Sequence, residues 1–261
     1  MPLAYESGGD GPVLVLIHGL GHHRHAWDPL LPTLTRHRRV ITVDLPGHGQ
    51  SAALALESAV DLADLLAPLR QLFTELGLER PHVAGNSLGG LLALELARHG
   101  EVRSATALAP AGFWENEAKF RAVRRKLRRM RATGRLLSPL APVICRSAIG
   151  RSLAFAPVCA RPWCLSPQSA LRDAAAFQSC THFDAILENG TSYQANPQPE
   201  VPVTIAWGRR DFILPARQAR IARERLPLAR HVILNGCGHV PMIDNPHQVT
   251  TLLLEGSHEG S

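Results

Sequence analysis

Gly85-Asn86-Ser87-Leu88-Gly89 sets a serine between two glycines where the hydrophobic pattern changes. The residues before it, His82-Val83-Ala84-Gly85, read as a short buried strand. Those after it, from Leu88 to Arg98, read as an apolar helix closed by His99-Gly100. A serine on a sharp strand-to-helix turn has its hydroxyl raised out of the sheet. The free N–H groups of the following helix end then favour negative charge beside it. Glycines on either side let other backbone approach such a turn. The pattern is short, so taken alone it also reads as a glycine-rich turn with an incidental serine.

Outward from this turn the chain alternates. Val13-Leu14-Val15-Leu16-Ile17 is a continuous apolar run ending at Gly19, the signature of a strand covered on both faces. A short helical stretch at 27–34 follows. Val40-Ile41-Thr42-Val43 is a second buried strand, stopped by Asp44 and Pro46-Gly47. Over 58–76 the residues Leu62, Leu65, Leu66, Leu69, Leu72, Phe73 and Leu76 recur at helical spacing, starting near Ser58 and closed by Gly77. A further strand spans 102–109. The alternation breaks from about 112 to about 195. It resumes with Val203-Thr204-Ile205-Ala206-Trp207, a helix at 217–226, His231-Val232-Ile233-Leu234 and a helix at 246–254, with a tail from Glu255 expected to fray. The chain therefore reads as an α/β protein with a mostly parallel, doubly wound sheet. Residues 1–111 and 201–261 form its core, and 112–200 form a mainly helical insertion.

A serine nucleophile needs a base, and the base needs an orienting carboxylate. Gly208-Arg209-Arg210-Asp211 follows the strand ending at Trp207, and Gly236-Cys237-Gly238-His239 follows the strand ending at Leu234. Singly, Asp211 reads as a turn residue and His239 as a loop histidine. Together they follow Ser87 in the order Ser, Asp, His, each at a strand end, and strand ends of a parallel sheet share one edge. This assigns Ser87 as nucleophile, His239 as base and Asp211 as the acid that orients it.

His18-Gly19-Leu20-Gly21 follows the first strong strand and supplies an oxyanion loop, with the N–H groups of Leu20 and Leu88 as donors. His18 shapes this loop rather than reacting. Trp27, Phe113, Trp114 and Val240 are candidate pocket walls, with core packing the equal alternative. Asp44 to Ser51 reads as a structural turn in which Asp44 bonds nearby amides; a back-up catalytic carboxylate is the sharper alternative. His22, His23 and His25 read as a solvated loop near the site entrance rather than as metal ligands.

These residues resemble the α/β-hydrolase superfamily, in its cofactor-free, lid-bearing, esterase- and lipase-like branch. The resemblance rests on His18-Gly19-Leu20-Gly21, Asp44-Leu45-Pro46-Gly47-His48-Gly49-Gln50-Ser51, Gly85-Asn86-Ser87-Leu88-Gly89-Gly90, Asp211, Gly238-His239 and Asn245-Pro246. It covers roughly 11–111 and 201–255, and it implies that 112–200 is a cap over the site. The N-terminus departs from the pattern, since only Met1 to Asp10 precede the first strong strand, so the usual first strands are expected to be shortened or missing. Cys237-Gly238-His239 and Gly85-Asn86-Ser87 also resemble carbon–carbon bond hydrolases of the superfamily, which carry tryptophan where this chain has Val240. Aspartate-nucleophile dehalogenases and epoxide hydrolases are disfavoured by Ser87. The expected activity is hydrolysis of a carboxylic ester or thioester, with no metal or organic cofactor. A non-catalytic ligand-binding protein on the same fold is the alternative from another class.

Composition narrows the remaining classes. The 261 residues are 45% hydrophobic and 19% charged, which excludes a disordered chain. The longest uncharged run, Pro81 to Leu94, is shorter than the ~18 apolar residues that span a bilayer. Met1-Pro2-Leu3-Ala4-Tyr5-Glu6 has no signal character, and five cysteines without a C-x-x-C fit a reduced, cytoplasmic protein. Of the net charge of +6, the segment 115–135 supplies nine Lys/Arg less two Glu, so the rest of the chain carries −1. That localised charge, with little aromatic interleaving, disfavours nucleic acid. Phe120, Val123, Leu127, Met130 and Leu137 form one helical face of this segment, read as lying on the lid or the acyl pocket. Arg124, Arg125, Arg128 and Arg129 lie around the remainder, either solvated or in contact with anionic lipid or an acidic substrate.

Overall fold

A computed structural model describes residues 2–55, 60–190, 192–196 and 198–258. The predicted helix start at Ser58 lies outside them. Among the described residues seven strands form one sheet: β1 (Tyr5–Gly8), β2 (Val13–Ile17), β3 (Arg39–Val43), β4 (His82–Asn86), β5 (Ser104–Leu108), β6 (Val203–Gly208) and β7 (Arg230–Leu234). Their order is β1-β3-β2-β4-β5-β6-β7, parallel throughout except for β1 against β3. The sequence reading located no strand here and expected the usual first strands to be shortened or missing; β1 is a shortened one. Its four residues, Tyr-Glu-Ser-Gly, are all exposed and carry no buried apolar run. It exists because β3 offers an open backbone edge, on which Tyr5 registers with Val43.

Side-chain alternation explains the two layers of core. Val15, Ile17, Val83, Ala105 and Ala107 face one side of the sheet, where Leu65, Leu69 and Leu72 of α1 (Leu62–Glu75) and the apolar face of α2 (Leu88–Arg98) cover them. Leu14, Leu16, Ala84, Leu108 and Ala206 face the other side, with Trp27, Leu30 and Leu34 and the inner face of the C-terminal helix Pro246–Gly256. The predicted helix at 27–34 is in fact a 3-10 turn at Arg24–Trp27 and a single turn at Leu31–Leu34. Pro29 and Pro32 remove the N–H groups a continuous helix would need. The expected fraying from Glu255 does not occur at Glu255 to Ser257. The C-terminal helix runs to Gly256, and Arg38 donates to the hydroxyl and carbonyl of the buried Ser257.

Between β5 and β6 the described residues hold helices and no strand. They are α3 (Glu117–Leu137), a 3-10 turn (Ser138–Leu140), α4 (Ala141–Arg146), α5 (Ala148–Phe155), a second 3-10 turn (Pro162–Cys164), α6 (Pro167–Ser179) and α7 (Phe183–Glu188). Asn116, Ser147 and Ser166 cap α3, α5 and α6 by accepting from backbone N–H groups. On α3, Phe120, Val123, Leu127 and Met130 turn inward as the periodicity predicts. Leu137 does not. It is 39% exposed, because the helix runs past the surface it covers. The basic residues of α3 are not equivalent. Arg131 is buried, donating to the carbonyls of Gln178 and Cys180 with its guanidinium 4.5 Å from the Phe183 ring centre. Arg124 pairs with Glu188, and Arg128 with Asp184 and Glu188. Arg125 and Arg129 are exposed. Among the described residues no helix is long and apolar enough to cross a membrane.

Candidate active site

Ser87 sits on the turn from β4 to α2 at φ +56°, a region that side chains other than glycine rarely enter. Three backbone bonds hold it there. Its N–H donates to Leu108 O at 2.9 Å, and its carbonyl accepts from Leu91 and Ala111 N–H, each at 3.0 Å. Its side chain does not cap the helix it precedes, so the hydroxyl is left free of that role. Both flanking glycines are obligatory on steric grounds. A Cβ on Gly85 would lie 2.1 Å from Gly89 O, and one on Gly89 would lie 2.1 Å from Ile17 O. The turn can lie this close to the end of β2 only because neither residue has a side chain.

Asp211 and His239 leave the ends of β6 and β7 and meet. His239 Nδ1 donates to Asp211 Oδ2 at 2.8 Å, and both residues are buried. Asp211 Oδ1 accepts from the N–H groups of Ile213 and Leu214 at 2.8 and 2.7 Å, which fixes the carboxylate plane. The two loops touch because Gly208 has no Cβ; one there would lie 2.1 Å from Gly238 O. Asn86, the residue before Ser87, donates from Nδ2 to His239 O at 2.9 Å and to Leu108 O at 3.1 Å. It thus ties the histidine loop to the serine turn. Asp244 holds the same loop from the other side. It accepts from Gly238 N–H at 2.7 Å and from Ala160 and Arg161 N–H of the insertion at 3.0 and 2.6 Å. Sequence reading missed both Asn86 and Asp244 as positioning residues, since Asn86 reaches across 22 and 153 positions and Asp244 joins its own loop to the insertion across more than 80.

The His18-Gly19-Leu20-Gly21 loop lies against the turn. A Cβ on Gly19 would come within 3.1 Å of Ser87 Cβ. His18 Nδ1 donates to Gly19 O at 2.7 Å and its Nε2 accepts from Leu45 N–H at 3.0 Å, so one neutral tautomer is locked in the loop. Burial pushes the pKa of His18 well below its ordinary value. Leu88 is the first residue of α2, where an N–H has no acceptor within the helix. Leu20, Ser87 and Leu88 line one cavity with Trp114, Phe120 and Ile213. Trp114 stacks on Phe120, ring centres 4.8 Å apart. Val123, Leu127, Ile186 and Leu187 of the insertion complete an apolar wall. The other three candidate pocket residues lie elsewhere. Trp27 is fully buried beneath the opposite face of the sheet. Phe113 is buried against Tyr193 and Trp207, and Val240 packs into the same layer as Trp27. Phe113 and Trp114 are neighbours in sequence, yet only the second reaches the cavity.

Asp44 is wholly buried and accepts from the N–H groups of Arg24 and Gln50 at 2.7 and 2.9 Å. It also pairs with the buried Arg24 guanidinium, so its oxygens are committed to holding the Asp44–Ser51 turn. The histidine loop is less solvated than its composition suggests. His23 is buried, and His23 and His22 place Nε2 3.0 and 3.4 Å from Asp173 Oδ1 on α6. Although burial opposes it, the two histidines hold the Asp173 carboxyl below the usual carboxylate range. Their three ligand atoms lie within 4.8 Å of one another, close enough for one metal ion. As they stand they form a hydrogen-bonded clasp between this loop and the insertion. His48 makes a second tie. Its Nδ1 donates to Pro46 O at 2.9 Å, and its Nε2 lies 3.1 Å from Cys180 Sγ. Burial lowers the His48 pKa to about 4 and raises that of Cys180 to about 11, so the thiol donates to a neutral imidazole.

Comparison with known proteins places this geometry among relatives. A family model described as "Alpha/beta hydrolase family" matches residues 14–252. The pimeloyl-[acyl-carrier protein] methyl ester esterase of Nitrosomonas europaea is 27% identical, over 93% of this chain and 94% of its own. The epoxide hydrolase EphH of Mycobacterium tuberculosis is 33% identical over 69% of this chain and 86% of its own. The dihydrolipoyllysine-residue acetyltransferase component of the acetoin cleaving system of Pseudomonas putida is 29% identical over 96% of this chain, which spans only 65% of that longer protein. Among solved structures, a thermophilic esterase from Thermogutta terrifontis superposes with a TM-score of 0.73 at 21% identity, over 97% of this chain and 92% of the other.

Proposed function

Because the chain belongs to the alpha/beta hydrolase family, we propose that it hydrolyses a carboxylic ester or thioester through an acyl-enzyme on Ser87. His239 takes the Ser87 proton as the oxygen attacks the carbonyl carbon. The tetrahedral oxyanion lies against the N–H groups of Leu20 and Leu88. His239 then returns the proton to the leaving alcohol or thiol. A water, deprotonated by the same imidazole, attacks the acyl carbon and frees the acid and Ser87. Asp211 keeps the proton of neutral His239 on Nδ1 and stabilises the imidazolium. The observation that carries this reading is the 2.8 Å bond between Asp211 and a histidine whose backbone is anchored to the serine turn.

The helices of 112–200 form a cap that selects the acyl group. Phe120, Val123, Leu127, Ile186 and Leu187 all come from this segment and line the cavity at Ser87. Their apolar character favours an uncharged acyl chain over a polar one. The methyl ester named for the Nitrosomonas relative is of this bond class. The epoxide hydrolase relative does not transfer its substrate, because a serine at 87 forms an ester with an acyl carbon. A panel of esters and thioesters of graded acyl length, run with the wild type and Ser87→Ala, tests the proposal. Turnover that depends on Ser87 and peaks at an apolar acyl chain supports it. Stoichiometric fluorophosphonate labelling of Ser87 separates an enzyme from a ligand-binding protein. No labelling and no turnover would overturn the reading.

A further inference from the structure

From Ala118 to Arg172 there are 55 residues with thirteen Lys/Arg and not one Asp or Glu. Those 55 residues include most of the cap, and their outer surface is apolar as well as basic. Leu136 is 80% exposed, Val143 72%, Ile149 74% and Leu153 77%, and Leu140 and Trp163 are each 55% exposed. Scattered exposed leucines are ordinary; six large apolar side chains within 28 residues of contiguous, mutually packed elements are not.

These side chains stand on elements that follow one another along the chain and pack together. α3, the 138–140 turn and α4 follow one another with helical backbone at Ser138 and Ala141, so the helical path is nearly continuous. Leu136, Leu140 and Val143 are spaced by four and three residues, close to the helical repeat, and all three are exposed. Extended backward at four, three and four, the same spacing reaches Ala132, Arg129 and Arg125, all exposed. The stripe is basic at one end and apolar at the other. On α5, which packs on α4, Ile149 and Leu153 are also four apart, and the turn bearing Trp163 packs on α5. Arg124 and Arg128 lie on the flank that pairs with Glu188 and Asp184, which leaves Arg125 and Arg129 as the outward cations of the stripe.

We propose that this face of the cap docks in the interfacial plane of an anionic lipid bilayer, with Leu136, Leu140, Val143, Ile149, Leu153 and Trp163 entering the acyl boundary and Arg125 and Arg129 meeting headgroup phosphates. Charge selects this occupant. A second copy would set the same carboxylate-free segment against itself and repel it. A neutral bilayer would leave the arginines without counter-charge, whereas an anionic leaflet pairs them while the apolar end is buried. The face lies outside the Ser87 cavity, so docking is independent of the chemistry proposed there.

Co-sedimentation of the full chain with phosphatidylcholine vesicles, with and without phosphatidylglycerol, tests the docking. The wild type is expected to bind the anionic vesicles and not the neutral ones. Arg125→Gln with Arg129→Gln should lower that affinity about twenty-five-fold, at roughly fivefold per arginine. Leu136→Ser, Val143→Ser and Ile149→Ser together should leave only binding that salt abolishes. Both variants change exposed side chains, so thermal unfolding and turnover of a short soluble ester should match the wild type. Equal binding to both vesicle types, no binding to either, or binding unaffected by both variants would overturn the proposal. So would a stable dimer on gel filtration that the serine variant dissolves.

Discussion

Asn86 and His239 share a hydrogen bond of 2.9 Å from the side-chain amide of one to the main-chain carbonyl of the other. The residue before the turn serine therefore sets the height of the histidine loop. The same amide also holds Leu108 O, so one side chain spans β4, β5 and the loop after β7. Asn86→Ala leaves two buried carbonyls without this donor. We expect kcat to fall on the order of 10²-fold with KM little changed, because the imidazole is misplaced rather than removed. Stability should drop by about 2 kcal/mol or more. A KM effect without a kcat effect would assign Asn86 to substrate binding instead.

Two of the buried aspartates, Asp211 and Asp44, make opposite predictions. Asp211→Asn removes the acceptor that orients His239, and kcat should fall by on the order of 10⁴ with the fold intact. Asp44→Asn breaks the buried pair with Arg24 and weakens the acceptors for two main-chain amides. It should cost about 3–5 kcal/mol of stability and leave kcat of the folded fraction near wild type. Steady-state kinetics and denaturant unfolding of both variants distinguish the roles. An Asp211→Asn enzyme within threefold of wild type would refute the assignment of the acid.

Stability should decline in mild acid through His48. Its pKa is lowered by burial to about 4 in the folded protein, against an ordinary 6.5. Between those values the unfolded chain holds a proton that the folded chain refuses, so stability is full above pH ~6.5 and falls as pH drops towards 4. The loss amounts to about 3 kcal/mol over that window from this residue. His48→Gln should lower stability at neutral pH but flatten the slope by about one proton. Denaturant melts at several pH values give that slope, and an unchanged slope would show that His48 does not supply it.

Gly89→Ala tests the steric account of the turn. The added carbon would fall 2.1 Å from Ile17 O and 2.6 Å from His18 O, both main-chain atoms that cannot swing away. The variant should either fail to accumulate or melt well below wild type, and any folded fraction should have lost most of its activity because the loop proposed to hold the oxyanion moves with Ile17 and His18. Native-like stability and kcat would show that the loop yields.

The legible parts of this protein were those whose signal is local. β2, β3, β4 and β6 announce themselves because strands covered on both faces need unbroken apolar runs. Asp211 was readable because it closely follows β6, and His239 because it closely follows the β-branched run His231-Val232-Ile233-Leu234, though β7 is only partly buried. β1 was not, since its exposed residues are held by backbone pairing, which any sequence can provide. The pocket walls were equally hidden. Trp27, Phe113 and Trp114 are alike in composition, and only the path of the chain sends the third to the cavity. Arg24 with Asp44, and Asp173 with His22 and His23, pair across 20 to about 150 positions, beyond any periodicity.

The seam between β5 and β6 also bears on how the chain assembles. These strands are parallel neighbours, yet the paired residues Ala105 and Val203 are 98 positions apart, whereas Thr204 and Arg230 across β6 and β7 are 26 apart. Closing the longer span costs about 1 kcal/mol more in chain entropy, at ~0.6 kcal/mol per doubling of length. The sheet is thus expected to form as two pieces, β2 to β5 and β6 with β7, whose joining is the late event. Ser87 belongs to the first piece, and Asp211 and His239 to the second. Neither piece alone holds all three residues, so a nascent or half-folded chain cannot carry the proposed chemistry until the seam has zipped.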